Sequence, residues 1–338
     1  MRSAGTFGLA VLCVFPISVK AQQVTPLKLV QTIQVPGVEG HFDHFAVDLQ
    51  GHRLFVAEEE HKTVQVFDVR TFKSIASIRG FTEPHWLLYQ PESHELFVTD
   101  GDGTVKIFNA SSYQRVKTVK LGLGTDCIAY DRTTKRLYVV YGGRDAASHS
   151  ASIGIIDTTT GQHIGDIRIP AARIEGMDVD ERTNRLFVNI TSREEVGVID
   201  LKTNRVVATW PLDLVGDANV PMRLDGADHR LFVATRTPAM FIAINTDTGK
   251  VISAFHINMD ADDIFYDALN RRVYVSCGEG FVDVFQQRDP AHYAFLATIR
   301  TRPGARNSLF VPQLREYFVA LPQYEGQGAA IWVFRPQP

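Results

Sequence analysis

Apolar residues along this chain fall in short runs with partial period-two alternation, and helical 3.6-residue periodicity is absent. The runs are rich in Val, Ile, Phe and Tyr and are separated by Gly, Asp, Asn and Thr, which predicts strands joined by tight turns. One block recurs seven times: RLFVAEE from Arg53, ELFVTDG from Glu95, RLYVVYG from Arg136, RLFVNIT from Arg185, RLFVATR from Arg230, RVYVSCG from Arg272 and EYFVALP from Glu316. A second run follows each block (TVQVFDV, TVKIFNA, SIGIIDT and their counterparts), and a third follows in six of the units. A further apolar run such as FAVD or CIAYD precedes each block. Four strands over roughly 40–50 residues is the length of a propeller blade. The last unit lacks its outer strand, and LKLVQTIQV near residues 28–35 reads like the missing one. Its pairing with the last blade closes the ring and removes an exposed edge. The expected fold is all-β: a seven-bladed β-propeller of four-stranded antiparallel blades, forming one domain over residues 22–338.

The units carrying RLFV, RLYVV and RVYVS, followed by VIDLKTNRVVATW or IIDTTTGQHIGDI, resemble the YVTN-repeat, YncE-like family of propellers. The resemblance covers almost the whole chain after residue 21 and implies the fold. Its recurring residues are strand cores and turns, so it implies little about activity. The wider propeller group includes lactone hydrolases, cofactor-bearing oxidoreductases and pure binding proteins. Fold likeness does not choose among them.

Composition narrows the choice. The chain has 338 residues, 45% hydrophobic and 22% charged, with a formal net charge of −3. That balance does not indicate a nucleic-acid backbone as partner. The first residues, MRSAGTFGLAVLCVFPISVKAQQ, join a positive start, an apolar stretch and small residues at Val19 and Ala21. This is the pattern of a secretory signal peptide cleaved after Ala21, so a secreted or periplasmic protein is expected. No later apolar run is long enough to span a membrane. Cys127 and Cys277 are not expected to pair. No C-x-x-C-H is present, which excludes covalent c-type haem. Neither a P-loop, a G-x-S-x-G elbow nor a dinucleotide glycine pattern occurs in the required context.

Strand order sorts the remaining polar residues. The loops leading into the innermost strands share one face with the loops between second and third strands. The opposite hairpins, such as DLQGHR and DERTNR, are alike from unit to unit and read as generic turns. Five residues before the first turn residue of each unit stand Asp43, His85, Asp126, Glu175, Val220, Asp262 and Arg306. All but Val220 are ionisable, and ring symmetry carries them towards one axis. Seven before, at the rim, are His41, Glu83, Gly124, Arg173, Ala218, Asp260 and Gly304; four before are His44, Trp86, Cys127, Gly176, Pro221, Asp263 and Asn307, several of which are expected to face between blades.

These rings suggest the chemistry. Asp43, Asp126, Glu175 and Asp262 are candidate ligands of a divalent cation: oxygen donors favour calcium or magnesium, and a contribution from His41 or His44 favours zinc or manganese. His85 is the candidate acid/base residue. His41, Glu83, Arg173, Asp260 and Arg306 are candidate contacts to a ligand at the mouth. Carboxylates also occur at such positions simply to satisfy buried backbone N–H groups. The loop Glu58-Glu59-Glu60 reads as solvated, and GGRDAASHSAS in the third unit as a recognition loop or lid. The leading expectation is a propeller that binds a small molecule or protein at a polar, acidic channel mouth. The alternative is a metal-dependent, lactonase-like hydrolase or lyase. A weaker third is an oxidoreductase subunit that docks a redox partner.

Overall fold

A computed structural model describes residues 1, 25–212, 215–216 and 218–338. The predicted signal peptide lies, apart from Met1, outside the described residues. Seven four-stranded antiparallel sheets form the fold. Blade 1 runs Phe42–Asp48, Arg53–Glu58, Thr63–Asp68 and Ser74–Arg79 from the axis outwards. Blades 2 to 6 repeat that order, with innermost strands Pro84–Gln90, Ile128–Asp131, Met177–Asp180, Met222–Asp225 and Ala261–Asp267. Blade 7 takes three strands from the C-terminal part, Ser308–Val311, Glu316–Leu321 and Ala330–Pro336, and its fourth from Leu27–Gln34. Leu27 lies opposite Pro336 and Gln34 opposite Ala330, so the predicted closure of the ring is present. Helical geometry among the described residues is confined to two short 3₁₀ turns, Gly143–Ala146 and Thr191–Arg193. No helix of the described residues is long and apolar enough to cross a membrane.

Local chemistry explains the hairpins. In blades 1 to 4 an Asp or Asn ends the third strand and accepts N–H bonds from the turn: Asp157 from Thr159 and Thr160, for example, and Asn109 from Ser111 and Ser112. Asn245 does the same in blade 5. The turn then needs one residue at positive φ, which Gly161, Asn204 and Gly249 supply.

The second strand carries the core. Its third residue is aromatic in every blade (Phe55, Phe97, Tyr138, Phe187, Phe232, Tyr274 and Phe318), and each is at most 1% exposed. Among the described residues, hydrophobic clusters form between neighbouring blades rather than within one, seven in all, one for each interface of the ring. The cluster joining blades 7 and 1 contains Ile33 and Val35 of the closing segment together with Phe42, Val56 and Phe318.

Candidate functional site

The lead-in positions converge because in blades 1 to 6 the innermost strand begins with an irregularity that opposes two residues to one. In blade 1, Phe42 pairs with Glu58 and Phe45 with Val56, leaving Asp43 and His44 opposite Ala57 alone. His85 and Trp86 face Thr99 in the same manner, and Asp262 is the extra residue of blade 6. In blade 3, Val140 accepts from Asp126 N–H and donates to the Cys127 carbonyl. In blade 4, Asn189 accepts from Glu175 N–H and donates to the Gly176 carbonyl. Bulges re-aim side chains, and here they turn adjacent residues towards the axis. Gly176 is required for this packing: a Cβ there would lie 2.5 Å from the Val220 carbonyl oxygen.

The mouth opens on an axial cavity of about 1080 Å³, with Val47, Leu88, Val179 and Leu224 along its wall. Val47 therefore lines the channel while Phe45 packs at 5% exposure. At the blade 5–7 side every carboxylate is matched. Asp262 accepts from Arg236 (2.6 Å), Arg306 (3.1 Å) and Asn307 (3.1 Å), and Asp260 pairs with both arginines at 3.3 and 3.4 Å. His44 links blade 1 to blade 6, with Nε2 3.1 Å from Asp43 Oδ1 and Nδ1 3.3 Å from Asp263 Oδ1. Its ring stacks on Trp86 with centroids 3.6 Å apart. Burial alone would lower the His44 pKa; Asp263 and Asp43 outweigh it and push it up to about 9.

The blade 1–4 side is less balanced. His85 Nδ1 is 2.8 Å from Asp43 Oδ2. Burial opposes the charge on this imidazole, but Asp126, Asp43 and Glu59 push its pKa up to about 10. The Glu175 carboxylate is paired with Arg173 and accepts from the Cys127 thiol at 3.6 Å. Asp126 and Glu59 are only half-buried, and neither side chain has a hydrogen-bond partner among the described residues. Burial, followed by neighbouring carboxylates, raises Asp126 to about 7, against the pull of His85. Burial and then Asp43 likewise raise Glu59 to about 7.

The four predicted metal ligands are thus divided. Asp43 lies with His85 and Glu59, with donor atoms within 4.8 Å of one another; Asp126 and Glu175 form a second group with Cys127; Asp262 belongs to the arginine pairs. Among the rim residues, His41 is exposed and Glu83 is exposed with Oε2 4.0 Å from His85 Nε2, while Arg173, Asp260 and Arg306 are half-buried and ion-paired. The acidic loop, expected to be solvated, is largely withdrawn from solvent. Glu58 is fully buried and accepts from Thr63 and Gln65, Glu59 faces the channel, and only Glu60 is exposed, accepting from His41 N–H. His44, Glu59, Arg236 and Asn307 also belong to the network. The signal for His44 was its place beside the ring residue Asp43 in the repeated lead-in to an innermost strand. The third-blade loop is tied to blade 4 by Arg144 N–H to the Ala172 carbonyl at 2.7 Å, and Arg144 and Asp145 border the channel.

No family model matches the chain, and no curated protein matches it. Solved structures do. A chain of a mitotic checkpoint complex superposes with a TM-score of 0.73 at 13% identity, covering 98% of each chain. A chain of the hydrazine synthase of Kuenenia stuttgartiensis gives 0.70 at 17% identity, covering 89% of this chain and 98% of its own. Likeness at such identities shows the propeller fold and carries no activity with it.

Proposed function

We propose that this protein is a non-enzymatic binding propeller whose channel mouth captures a ligand, small molecule or protein side chain, through a cationic group. The carrying observation is the imbalance across the mouth. Arginines match the carboxylates of blades 5 to 7, whereas Asp126 and Glu59 face the cavity without a hydrogen-bond partner among the described residues. A group such as an alkylammonium or guanidinium supplies the charge and N–H donors that these oxygens lack. The leader-like composition of residues 1–21 supports action outside the cytoplasm.

The test is calorimetric titration with alkylammonium and guanidinium probes. Binding to the wild type and at least tenfold weaker binding to Asp126→Asn are expected. Absence of binding, or equal binding by the variant, overturns the proposal.

The hydrolase reading draws on the grouping of Asp43, Glu59 and His85. A histidine pushed up to about 10 donates a proton rather than accepting one at neutral pH, which favours binding over base catalysis. Lactone turnover by the metal-loaded protein that is lost in His85→Ala would reverse that preference.

A further inference from the structure

The acidic side of the mouth contains a more specific arrangement than a patch of negative charge. Asp43 comes from the blade 1 bulge, Glu59 from the loop following that blade's second strand, and His85 from the blade 2 bulge. One donor atom from each lies within 4.8 Å of the others. The geometry points to a binding site for a divalent transition ion, zinc or manganese in class, formed by Asp43, Glu59 and His85. It rests on the reading of the mouth as a cation-binding site and names a different cation for it.

Three observations carry the assignment. First, the donor set is mixed, one imidazole and two carboxylates, which suits zinc or manganese better than the all-oxygen shell of calcium. Second, outer partners already orient one of the donors, as they do in metal sites. Asp43 Oδ1 is held by His44 at 3.1 Å and by Asn307 at 3.4 Å, so Oδ2 is left to face His85. The imidazole Nδ1 is directed at the cluster, bonded to Asp43 Oδ2 at 2.8 Å, and an ion bound there displaces its proton. Third, the cluster borders the cavity, with Asp126 of the next blade beside it, so solvent or a ligand reaches an open coordination position. An ion with bonds of about 2.0–2.1 Å spaces tetrahedral donors roughly 3.4 Å apart. From the present spacing, Asp43 Oδ2 and His85 Nδ1 open from 2.8 Å and Glu59, whose carboxylate has no hydrogen-bond partner to lose among the described residues, rotates in.

The adjoining group of Asp126, Cys127 and Glu175 is the weaker host. Arg173 already occupies Glu175, and the Cys127 thiol is 5% exposed, so metal binding would require deprotonating it in a buried site.

The experiment strips the protein with chelator and titrates it with Zn²⁺, Mn²⁺, Ca²⁺ and Co²⁺, following bound metal by equilibrium dialysis and Co²⁺ by visible absorption. One Zn²⁺ or Co²⁺ per chain is expected, with d–d bands of nitrogen and oxygen ligation. Glu59→Gln and His85→Gln should each weaken binding at least tenfold, while Glu92→Gln, at the other mouth, should match the wild type. Glu59→Gln removes no hydrogen bond seen in the fold, so loss of binding there is not a folding effect; circular dichroism confirms this. No stoichiometric ion, unchanged affinity in Glu59→Gln, or a thiolate-to-cobalt charge-transfer band would overturn the site. Alkylammonium binding without metal binding sinks this inference and leaves the functional proposal standing. Metal binding without alkylammonium binding does the reverse.

Discussion

Burial and charge act against each other at His44. An imidazole that is 7% exposed would ordinarily be neutral, yet carboxylates of blades 1 and 6 flank both ring nitrogens. The folded protein therefore binds this proton more tightly than the unfolded chain, in which the pKa falls back to 6.5. The contribution to stability is complete below pH 6.5 and is lost as pH rises towards 9, about 3 kcal/mol if the whole shift is realised. Urea unfolding at pH 6, 7.5 and 9 should show that decline, and His44→Gln should make it shallower, with the remainder coming from His85. A slope unchanged in the variant would place the proton elsewhere. Sequence reasoning found His44 as a residue but not its role, because the role depends on Asp263, which is 219 positions away in the chain and close only when the ring is closed.

Elements were far more legible than contacts. The seven RLFV-type blocks are the second strands, and the runs on either side are their neighbours, since strand alternation and turn chemistry are local properties. Closure by the N-terminal run was also readable, because the last unit was one strand short. That strand buries Leu27 and Ile33, and Val35 just beyond it is buried as well, all at 2–3% exposure. Burial of each such side chain stabilises by about 1.5–3 kcal/mol. A chain beginning at residue 37 should melt at lower temperature and scatter light as it associates through the unpaired Ala330–Pro336 edge. A synthetic peptide of residues 25–36 should restore the melt. A truncated chain that stays monomeric with an unchanged melting point would refute the closing role. The bulges, by contrast, had no sequence signature: a period-two pattern predicts that Asp43 and His44 point to opposite faces, and the extra residue is what brings both to the network.

For the whole molecule, stability is distributed around the circle, with one apolar cluster at each of the seven blade interfaces. The ends of the domain are adjacent, since Gln337 N–H bonds the Pro26 carbonyl at 2.9 Å. A circular permutant that links these ends and opens the Leu201–Asn204 turn should fold to the same circular dichroism spectrum and melt within a few degrees of the parent. Failure to fold would mean that the order of blade formation, not ring closure, controls the structure. The sequence by itself determined the blade count, the strand order, the face that gathers variable polar residues and the acidic character of that face, because each follows from local pattern repeated at a regular interval. Only the tertiary structure decided which charges are paired: Asp262 with two arginines, His44 with Asp263 of blade 6, Asp126 and Glu59 left facing the cavity. Pairing depends on distances of a few ångströms across the channel, and no periodicity along the chain encodes them.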